Sequence, residues 1–228
     1  SHRYVARQAA SLMNKPLKEL KLITCHLGAG SSLCAVKDGK SFDTTMGFTP
    51  LTGVTMATRS GDVDVELVTY MMKKLNITDP EEMISILTRH SGLLGISGIS
   101  SDMRDVIAAK DAGNKRAQIA VTLFVKNIVR YIGQYYAEMK GLDGIVFTAG
   151  IGENSDVIRK LVCDELEFMG VKLDDTLNSK GEEGFITKPD SKIAALLVPT
   201  DEELMISRDI EVIKLQEQKE ISSKKPLL

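Results

Sequence analysis

Residues 20–45 read LKLITCHLGAGSSLCAVKDGKSFDTT, and they predict three short β-strands joined by two tight turns. The first two strands, Leu22–Cys25 and Ser32–Val36, are apolar and rich in residues that favour β-structure. The pair Asp38-Gly39 is typical of a two-residue hairpin turn and leads into the third strand, Ser41–Thr45. The chain therefore contains an antiparallel three-stranded meander near its start.

The turn between the first two strands has a composition that a hairpin alone does not need. It contains Gly28-Ala29-Gly30, flanked by His26 and by Ser31-Ser32. Glycines let the backbone approach a ligand with exposed N–H groups, and hydroxyls add further donors, so this turn suits a phosphate. The alternative is an ordinary glycine turn without a ligand.

A second glycine turn follows a later strand. Gly144–Thr148 is a short apolar strand, and Gly150-Ile151-Gly152 then precedes a helix that is predicted to run to Phe168. A strand, a glycine turn and a helix start form a place where a nucleotide can lie against the backbone. The third glycine and downstream acid of the dinucleotide fingerprint are absent, so a Rossmann domain is not indicated. Lys192–Val198 is the last predicted strand.

Several helices are predicted from periodicity and capping residues. They cover residues 3–19, Val63–Leu75, Asp79–His90, a segment starting at Asp102, Asn114–Met139 and Asp201–Lys214. Segments 46–64, 91–101 and 174–191 are expected to be loops. The first of them contains Arg59 among small residues, where a guanidinium could bind a phosphate or carboxylate with two hydrogen bonds. The alternative is an ordinary surface arginine.

The predicted order of elements gives an α/β fold, in which a mixed five-stranded sheet is covered by helices on both faces. The chain has 228 residues, 43% hydrophobic and 26% charged, with a net charge of −2. This balance argues against a nucleic-acid surface, and no apolar run is long enough to span a membrane. Three cysteines without metal-ligand spacing are typical of reduced thiols in a cytoplasmic protein.

The order of elements resembles one half of the ribonuclease-H-like ATPase fold of actin, sugar kinases and heat-shock ATPases. More specifically, the chain resembles the C-terminal half of the acetate kinase family, from Ser1 to about Val212. The segments that carry the resemblance are SHRYV (1–5), HLGAGSS (26–32), ATRSGD (57–62), SDMRD (101–105), FTAGIGEN (147–154) and PTDEEL (199–204).

The resemblance implies a set of site residues. His2 and Arg59 would be catalytic, with His2 touching the phosphoryl group in flight and Arg59 neutralising its developing charge. The implied nucleotide-binding residues are His26, Gly28, Gly30, Asp102, Met103, Arg104, Gly150, Ile151, Gly152 and Asn154. For Asn154 the alternative is a structural role as the N-cap of the next helix.

Glu202 is the implied metal residue and would help to hold Mg²⁺, with ATP or ADP as the nucleotide. The alternative for Glu202 is helix capping, since Thr200–Glu203 has the pattern of a capping box. The chain departs from the family at two positions. Ala29 stands where the family commonly has asparagine, and Met103 where it commonly has an aromatic residue; both could loosen nucleotide binding or shift its specificity.

The resemblance also implies a domain organisation and an activity. Residues 1–215 would be the C-terminal nucleotide-binding domain, with a helical insertion over about 63–139 and a charged tail over 216–228. The preceding domain of the family is expected to be absent, so the isolated chain should not turn over. The implied activity is reversible phosphoryl transfer from ATP to acetate or a similar short carboxylate in a cytoplasmic homodimer. A propionate or butyrate kinase, and a nucleotide-binding or dimer-forming module without chemistry, are the alternatives.

Overall fold

The computed structural model describes residues 1–201 together with Ser207, Ile210 and Lys214. The predicted last helix, Asp201–Lys214, and the predicted charged tail therefore lie outside the described residues, apart from those isolated positions. All further statements concern the described part of the chain.

One mixed sheet forms the centre of the fold. Its strands are β1 (Leu22–Leu27), β2 (Ser31–Lys37), β3 (Lys40–Thr44), β4 (Gly144–Thr148), β5 (Gly184–Phe185) and β6 (Ala194–Leu197). They lie in the order β3-β2-β1-β4-β6-β5. The meander pairs are antiparallel, β1 is parallel to β4, and β4 is parallel to β6. The five predicted strands are confirmed, with ends that differ by at most two residues.

The sixth strand was not predicted. β5 has two residues and pairs antiparallel with β6 at the edge of the sheet, in a segment that was expected to be a loop. The same segment contains a short helix. The predicted hairpin turn is present, with φ of +54° at Asp38 and +74° at Gly39, as a type I′ turn requires.

The helices are α1 (His2–Leu12), α2 (Val65–Leu75), α3 (Pro80–Arg89), α4 (Gly92–Ser97), α5 (Met103–Asp111), α6 (Lys115–Met139), α7 (Ala149–Asn154), α8 (Asp156–Glu165) and α9 (Asp175–Lys180). Short 3₁₀ turns cover Leu17–Glu19 and Glu167–Met169. The predicted N-caps Asp79 and Asp102 each accept a hydrogen bond from a backbone N–H of the first turn, and Asn114 does the same at the start of α6. Segment 91–101 was expected to be a loop, and this prediction was wrong because it contains α4.

Helices cover both faces of the sheet, as predicted. Alternate residues of β1 point to opposite sides, because side chains on a strand have a period of two. Ile23, Cys25 and Leu27 belong to the main core with α6 and α8, whereas Leu22 packs against α1. Thr24 and His26 share the face of Leu22, so the polar side chains of β1 lie on the α1 side.

Two further features bear on the protein class. The cysteines Cys25, Cys34 and Cys163 are all buried free thiols. Among the described helices, none is both long enough and apolar enough to cross a membrane.

Candidate active site

The two glycine segments meet at one edge of the sheet. β1 and β4 are parallel neighbours, with His26 opposite Thr148, so their carboxyl ends point the same way. The Gly28 turn follows β1, and α7 follows β4. A Cβ added to Gly28 would lie 3.6 Å from the Cβ of Ala149. Crevices beyond the carboxyl ends of parallel strands are where α/β proteins bind ligands, so this edge is the candidate site.

The glycines of the first turn are not required by the fold itself. Gly28 N–H donates to the Gly30 carbonyl (3.2 Å), and the Ser31 hydroxyl donates to the Gly28 carbonyl (3.1 Å). Neither glycine has a positive φ, and a Cβ at either would find no atom closer than 3.4 Å. An alanine would therefore fit at both positions in the empty protein. The bare backbone leaves room at the surface for a ligand, which favours the phosphate interpretation over the ordinary turn.

Arg59 lies beside this turn. Its loop is joined to the turn by a hydrogen bond from Ala57 N–H to the Ala29 carbonyl (3.2 Å). The Nη1 atom of Arg59 is 3.4 Å from where a Cβ on Gly30 would stand, and it donates weakly to the Pro50 carbonyl (3.3 Å). Among the described residues, no carboxylate pairs with this guanidinium. Its charge is therefore available to an anion at the turn.

The loop that carries this arginine is fixed to α6. The Asp62 carboxylate accepts from Gly53 N–H (2.8 Å) and from the Tyr131 hydroxyl (2.5 Å). The Asn127 side chain donates to the Thr55 hydroxyl (2.8 Å). These bonds fix the position of the loop relative to α6. A preorganised charge is what electrostatic stabilisation of a reaction requires.

A second anchor is the start of α4. Leu93 N–H donates to the Met56 carbonyl (2.9 Å). Gly92 has φ of +61°, and a Cβ there would lie 2.8 Å from the Arg59 carbonyl and closer still to that of Met56. Only glycine allows α4 to approach the loop this closely. This contact between distant segments explains why a glycine-rich stretch that looks like a loop is helical.

His2 lies on the α1 face of the meander with both ring nitrogens occupied. Nδ1 is 2.7 Å from the Thr24 hydroxyl, and Nε2 is 2.9 Å from the Ser32 hydroxyl. The Thr24 hydroxyl donates its one proton to the Cys34 carbonyl (3.3 Å), so it accepts from Nδ1–H. In the tautomer assigned from this network, Nε2 accepts from Ser32 and cannot donate.

This arrangement refines the predicted role of His2. The ring centroids of His2 and His26 are 6.1 Å apart, and His26 Nε2 is 3.9 Å from a Cβ built on Gly28. His26 is thus close both to His2 and to the Gly28 turn. A neutral Nε2 that accepts a proton cannot also donate to a phosphoryl oxygen, so the direct contact stays a prediction that requires the Ser32 bond to open.

The pKa of His2 predicts a pH dependence of stability. The pKa of His2 is lowered from 6.5 to about 4, chiefly by burial, with repulsion from His26 and from the N-terminal ammonium as smaller causes in the same direction. Between pH 6.5 and 4 the unfolded chain binds a proton that the folded chain does not, so acidification through this window destabilises the fold. The expected loss is on the order of 2 kcal/mol.

Urea denaturation at pH 7.0 and 4.5 measures this loss, and the His2→Gln variant is the control. Its free energy of unfolding should fall less than that of the wild type, because no titrating ring remains at position 2. The carboxylate of Asp102 does not obscure the window, since its pKa is lowered to about 2 by Arg104. Equal losses in both proteins would contradict the assignment of a buried, neutral His2.

The predicted turn after β4 is a helix in the structure. Gly150-Ile151-Gly152 lies inside α7, which begins directly at Ala149, so the prediction of a turn was wrong. Ala149 has φ of +65°, which an L-residue rarely adopts. Gly150 is exposed, and a Cβ there would meet nothing within 4 Å. Neither steric crowding nor helix propensity explains why this position is a glycine. As at the Gly28 turn, the missing side chain leaves room for a ligand.

Asn154 is not the cap of the next helix. The N-cap of α8 is Ser155, whose hydroxyl accepts from Ile158 N–H (3.3 Å). The exposed Asn154 side chain instead donates to the Gly150 carbonyl (2.9 Å). The capping alternative for Asn154 was therefore wrong, and its side chain lies on the same short helix as Gly150.

A buried arginine that sequence reasoning missed supports α7 from below. Arg159 is 1% exposed. Its guanidinium donates to the carbonyls of Gly152 (2.9 Å) and Glu153 (2.7 Å), and also to the side chain (2.8 Å) and carbonyl (2.7 Å) of Asn178. Burial lowers the pKa of this arginine. The one feature of the sequence that could have indicated its burial is its position in the apolar stripe of α8, next to Ile158.

The structure does not join Asp102, Met103 and Arg104 to this edge. Asp102 caps α5 and forms an ion pair with Arg104 (2.6 Å) on the surface. Met103 is 3% exposed and packs in the main core rather than forming an exposed apolar wall. No hydrogen bond among the described residues connects these three side chains to the Gly28 turn or to α7. Their contact with adenosine stays a prediction.

The predicted metal residue, Glu202, lies outside the described residues. Within the part that the structure describes, no group of three or more His, Cys, Asp or Glu side chains could hold a metal ion. In the described part of the site, an anion could bind to the glycine backbone and to the arginine. The same part contains no cluster of carboxylates that could bind a cation.

An apolar cavity of about 380 Å³ lies apart from this edge, between α2, α3 and α4. Its lining includes Leu67, Met71, Ile86 and Ile96. Ser60 also contributes to its wall, so it adjoins the far side of the arginine loop.

Comparison with known proteins identifies the family. The family model described as the acetokinase family matches residues 1–208. This chain belongs to the acetokinase family. The acetate kinase of Limosilactobacillus fermentum is 55% identical over 217 residues, which are 95% of this chain and 54% of that protein. The acetate kinase of Bacillus subtilis is 54% identical over 211 residues, or 92% and 53% of the two chains.

Solved structures of related proteins have the same fold as this acetokinase-family chain. The Porphyromonas gingivalis acetate kinase matches with a TM-score of 0.90 and 41% identity, over 93% of this chain and 54% of that one. A propionate kinase from Francisella tularensis matches with a TM-score of 0.84 and 39% identity, over 90% and 52%. The predicted ribonuclease-H-like α/β fold is confirmed. The chain spans about half the length of the acetokinase-family relatives it matches.

Proposed function

We propose that this chain supplies the nucleotide-binding half of an enzyme that transfers a phosphoryl group reversibly from ATP to acetate, giving acetyl phosphate and ADP. The observation that carries the proposal is the meeting of the Gly28–Gly30 turn, Arg59 and α7 at one edge of the sheet. Two glycines without a steric reason and an arginine without a carboxylate partner favour an anionic ligand there. The family relation supports a phosphotransferase.

Phosphoryl transfer depends on positioning and on neutralising charge on the transferring group. Arg59, held by its fixed loop 3.4 Å from a Cβ built on Gly30, would supply positive charge beside the phosphates. The Gly28–Gly30 backbone would line the phosphates, and α7 would lie under the adenosine through Gly150 and Asn154. His2 would act in its neutral form, through Ser32 or after that bond opens.

Mg²⁺ would neutralise phosphate charge when it is bound, and Glu202 is the residue proposed to hold it, partly through water. The other partners of the ion would be the phosphates and water.

Residues 1–215 are proposed to form one domain that includes a helical insertion over about 63–139, followed by a charged tail over 216–228. Groups from outside this chain would complete the site, so the isolated chain should bind adenine nucleotide weakly and leave acetate unchanged.

The protein is proposed to be cytoplasmic and homodimeric. Exposed apolar side chains on α2 support pairing: Val65 is 80% exposed, Tyr70 57% and Leu67 47%. No residue of α2 is buried in the single chain. A second copy could cover this apolar surface.

Propionate is a second candidate substrate, favoured by the similarity to the propionate kinase structure. A hydroxamate assay decides between the substrates. The assayed protein would be this chain joined to the first half of the Bacillus subtilis acetate kinase. Acyl phosphate formation from acetate supports the proposal, and a higher kcat/KM for propionate would favour the second candidate. A joined, folded protein that binds nucleotide and phosphorylates neither acid would support the binding-module alternative.

The Asn154→Ala variant should weaken ADP binding and leave stability nearly unchanged, because its exposed side chain lies on α7, where the adenosine is proposed to bind. The matched control is Ser155→Ala, which removes the true N-cap of α8 and should cost about 0.5–2 kcal/mol of stability without changing ADP affinity. Isothermal titration calorimetry and urea denaturation measure the two quantities. The opposite pattern, with affinity lost only in Ser155→Ala, would contradict the proposed adenosine position.

A further inference from the structure

The chain leaves the sheet after β6 with few bonds to hold it. Val198 N–H donates to the Phe147 carbonyl (3.0 Å), which is the last bond of the ladder. Pro199 has no N–H, and the Thr200 hydroxyl is buried without a hydrogen-bond partner among the described residues. The first bond beyond the sheet is therefore from Thr200 N–H to a carboxylate oxygen of Glu153 (3.0 Å).

The same oxygen of Glu153 also holds the start of α7. It accepts from Ala149 N–H at 2.7 Å and lies 3.4 Å from the Thr148 hydroxyl. Ala149 is the residue with the unfavourable φ of +65°. A charged acceptor at this N–H offsets part of that strain, because hydrogen bonds to charged groups are stronger than neutral ones. One carboxylate thus joins two segments that are 47 residues apart.

We propose that Glu153 is a positioning residue that couples α7 to segment 199–201, the residues that precede Glu202 in the chain. A nucleotide that binds on α7 would then also order segment 199–201. The nucleotide half of this inference rests on the proposed function, whereas the bridging contact can be tested in the protein without ligand.

The first experiment follows amide hydrogen exchange in the 228-residue chain without nucleotide. In Glu153→Ala, the amides of Ala149 and Thr200 should both exchange roughly tenfold faster or more, since each loses a charge-assisted bond. Glu153→Gln keeps an oxygen in the same place and should restore most of the protection. The matched control is Glu165→Ala, an exposed glutamate at the end of α8, which should change neither amide.

The second experiment repeats the measurement with saturating ADP. In the wild type, ADP should slow exchange both at α7 and at Thr200. In Glu153→Ala, ADP should still slow exchange at α7, and the effect at Thr200 should disappear. If Glu153→Ala only destabilised the protein, ADP would still slow exchange at both α7 and Thr200. Loss of the ADP effect at Thr200 alone therefore distinguishes loss of coupling from a general loss of stability.

Each outcome has a definite meaning. Unchanged exchange at Thr200 in ligand-free Glu153→Ala would overturn the bridging role, whatever ADP does. An equal ADP effect at Thr200 in the wild type and Glu153→Ala would overturn the coupling. Absence of ADP binding to the wild type would overturn the proposed function and the nucleotide half of the inference, while the ligand-free comparison would still decide the bridging contact.

Discussion

The Arg59→Ala variant of the joined, full-length protein should turn over about 10²–10³-fold more slowly than the wild type, with ADP affinity changed much less. The reason is that Arg59 is held in place beside Gly30 without a carboxylate partner among the described residues, so its charge is free to neutralise a transferring phosphoryl group. Removing one preorganised donor of this kind typically costs about 2.7–4 kcal/mol in the transition state. Steady-state kinetics give kcat and KM separately.

Two variants make this result specific. Arg59→Lys keeps the charge and loses the planar fork, so its kcat should lie between those of the wild type and the alanine variant. Arg89→Ala removes a charge from the exposed end of α3 and should leave kcat unchanged. Unchanged kcat with a raised KM for ATP in Arg59→Ala would refute the role, since it would show that the arginine only binds the ground state.

The Arg159→Met variant should show the largest loss of stability, about 3 kcal/mol or more. Methionine fills a similar volume and donates no hydrogen bonds. The carbonyls of Gly152, Glu153 and Asn178 would then lack their buried donor, and each buried unsatisfied group costs about 1–3 kcal/mol. Urea denaturation at pH 7 measures the loss.

The neighbouring Lys160→Met variant is the matched control. Lys160 is exposed and pairs with Asp164 and Asp175 at the surface, so its loss should cost less than about 1 kcal/mol. Asn178→Ala removes one acceptor of the guanidinium and the bond to the Asp156 carbonyl (2.9 Å), and it should fall between the two. A loss below 1 kcal/mol for Arg159→Met would contradict the view that this buried cation fastens α7 to α9.

Local signals in the sequence were enough to predict much of the fold. The type I′ turn at Asp38-Gly39 and the caps Asp79 and Asp102 each act on backbone groups within a few residues. The strands of the meander follow from short apolar runs between turn signals. Such features are visible without knowing what packs against them.

The features that were missed depend on contacts between distant segments. α4 is helical because Gly92 allows it to lie against the loop at Met56, and a glycine-rich segment does not reveal this in isolation. α7 begins at a residue with positive φ, held by a Glu153 bridge that also reaches Thr200. β5 has only two residues, which is too short for a sequence pattern, and it forms only because it pairs with β6.

The composition of the sequence singled out Arg59 and both glycine segments, and the family resemblance assigned them roles that stay predictions. The structure brings these residues to one edge of the sheet. The resemblance did not supply Arg159 or Glu153, because their roles depend on buried hydrogen bonds rather than on contact with a ligand. No described hydrogen bond connects Asp102 or Arg104 to the site, so their contacts with adenosine stay proposals. Met103 is buried in the main core.

The most direct test of the central claim is the footprint of ADP on the 228-residue chain, measured by amide hydrogen exchange. We expect slower exchange in two segments, residues 26–31 at the end of β1 and in the turn after it, and residues 149–154 in α7, with little change at the apolar cavity between α2 and α3. Protection confined to that cavity, or no protection anywhere at millimolar ADP, would contradict the claim that the carboxyl edge of β1 and β4 binds the nucleotide.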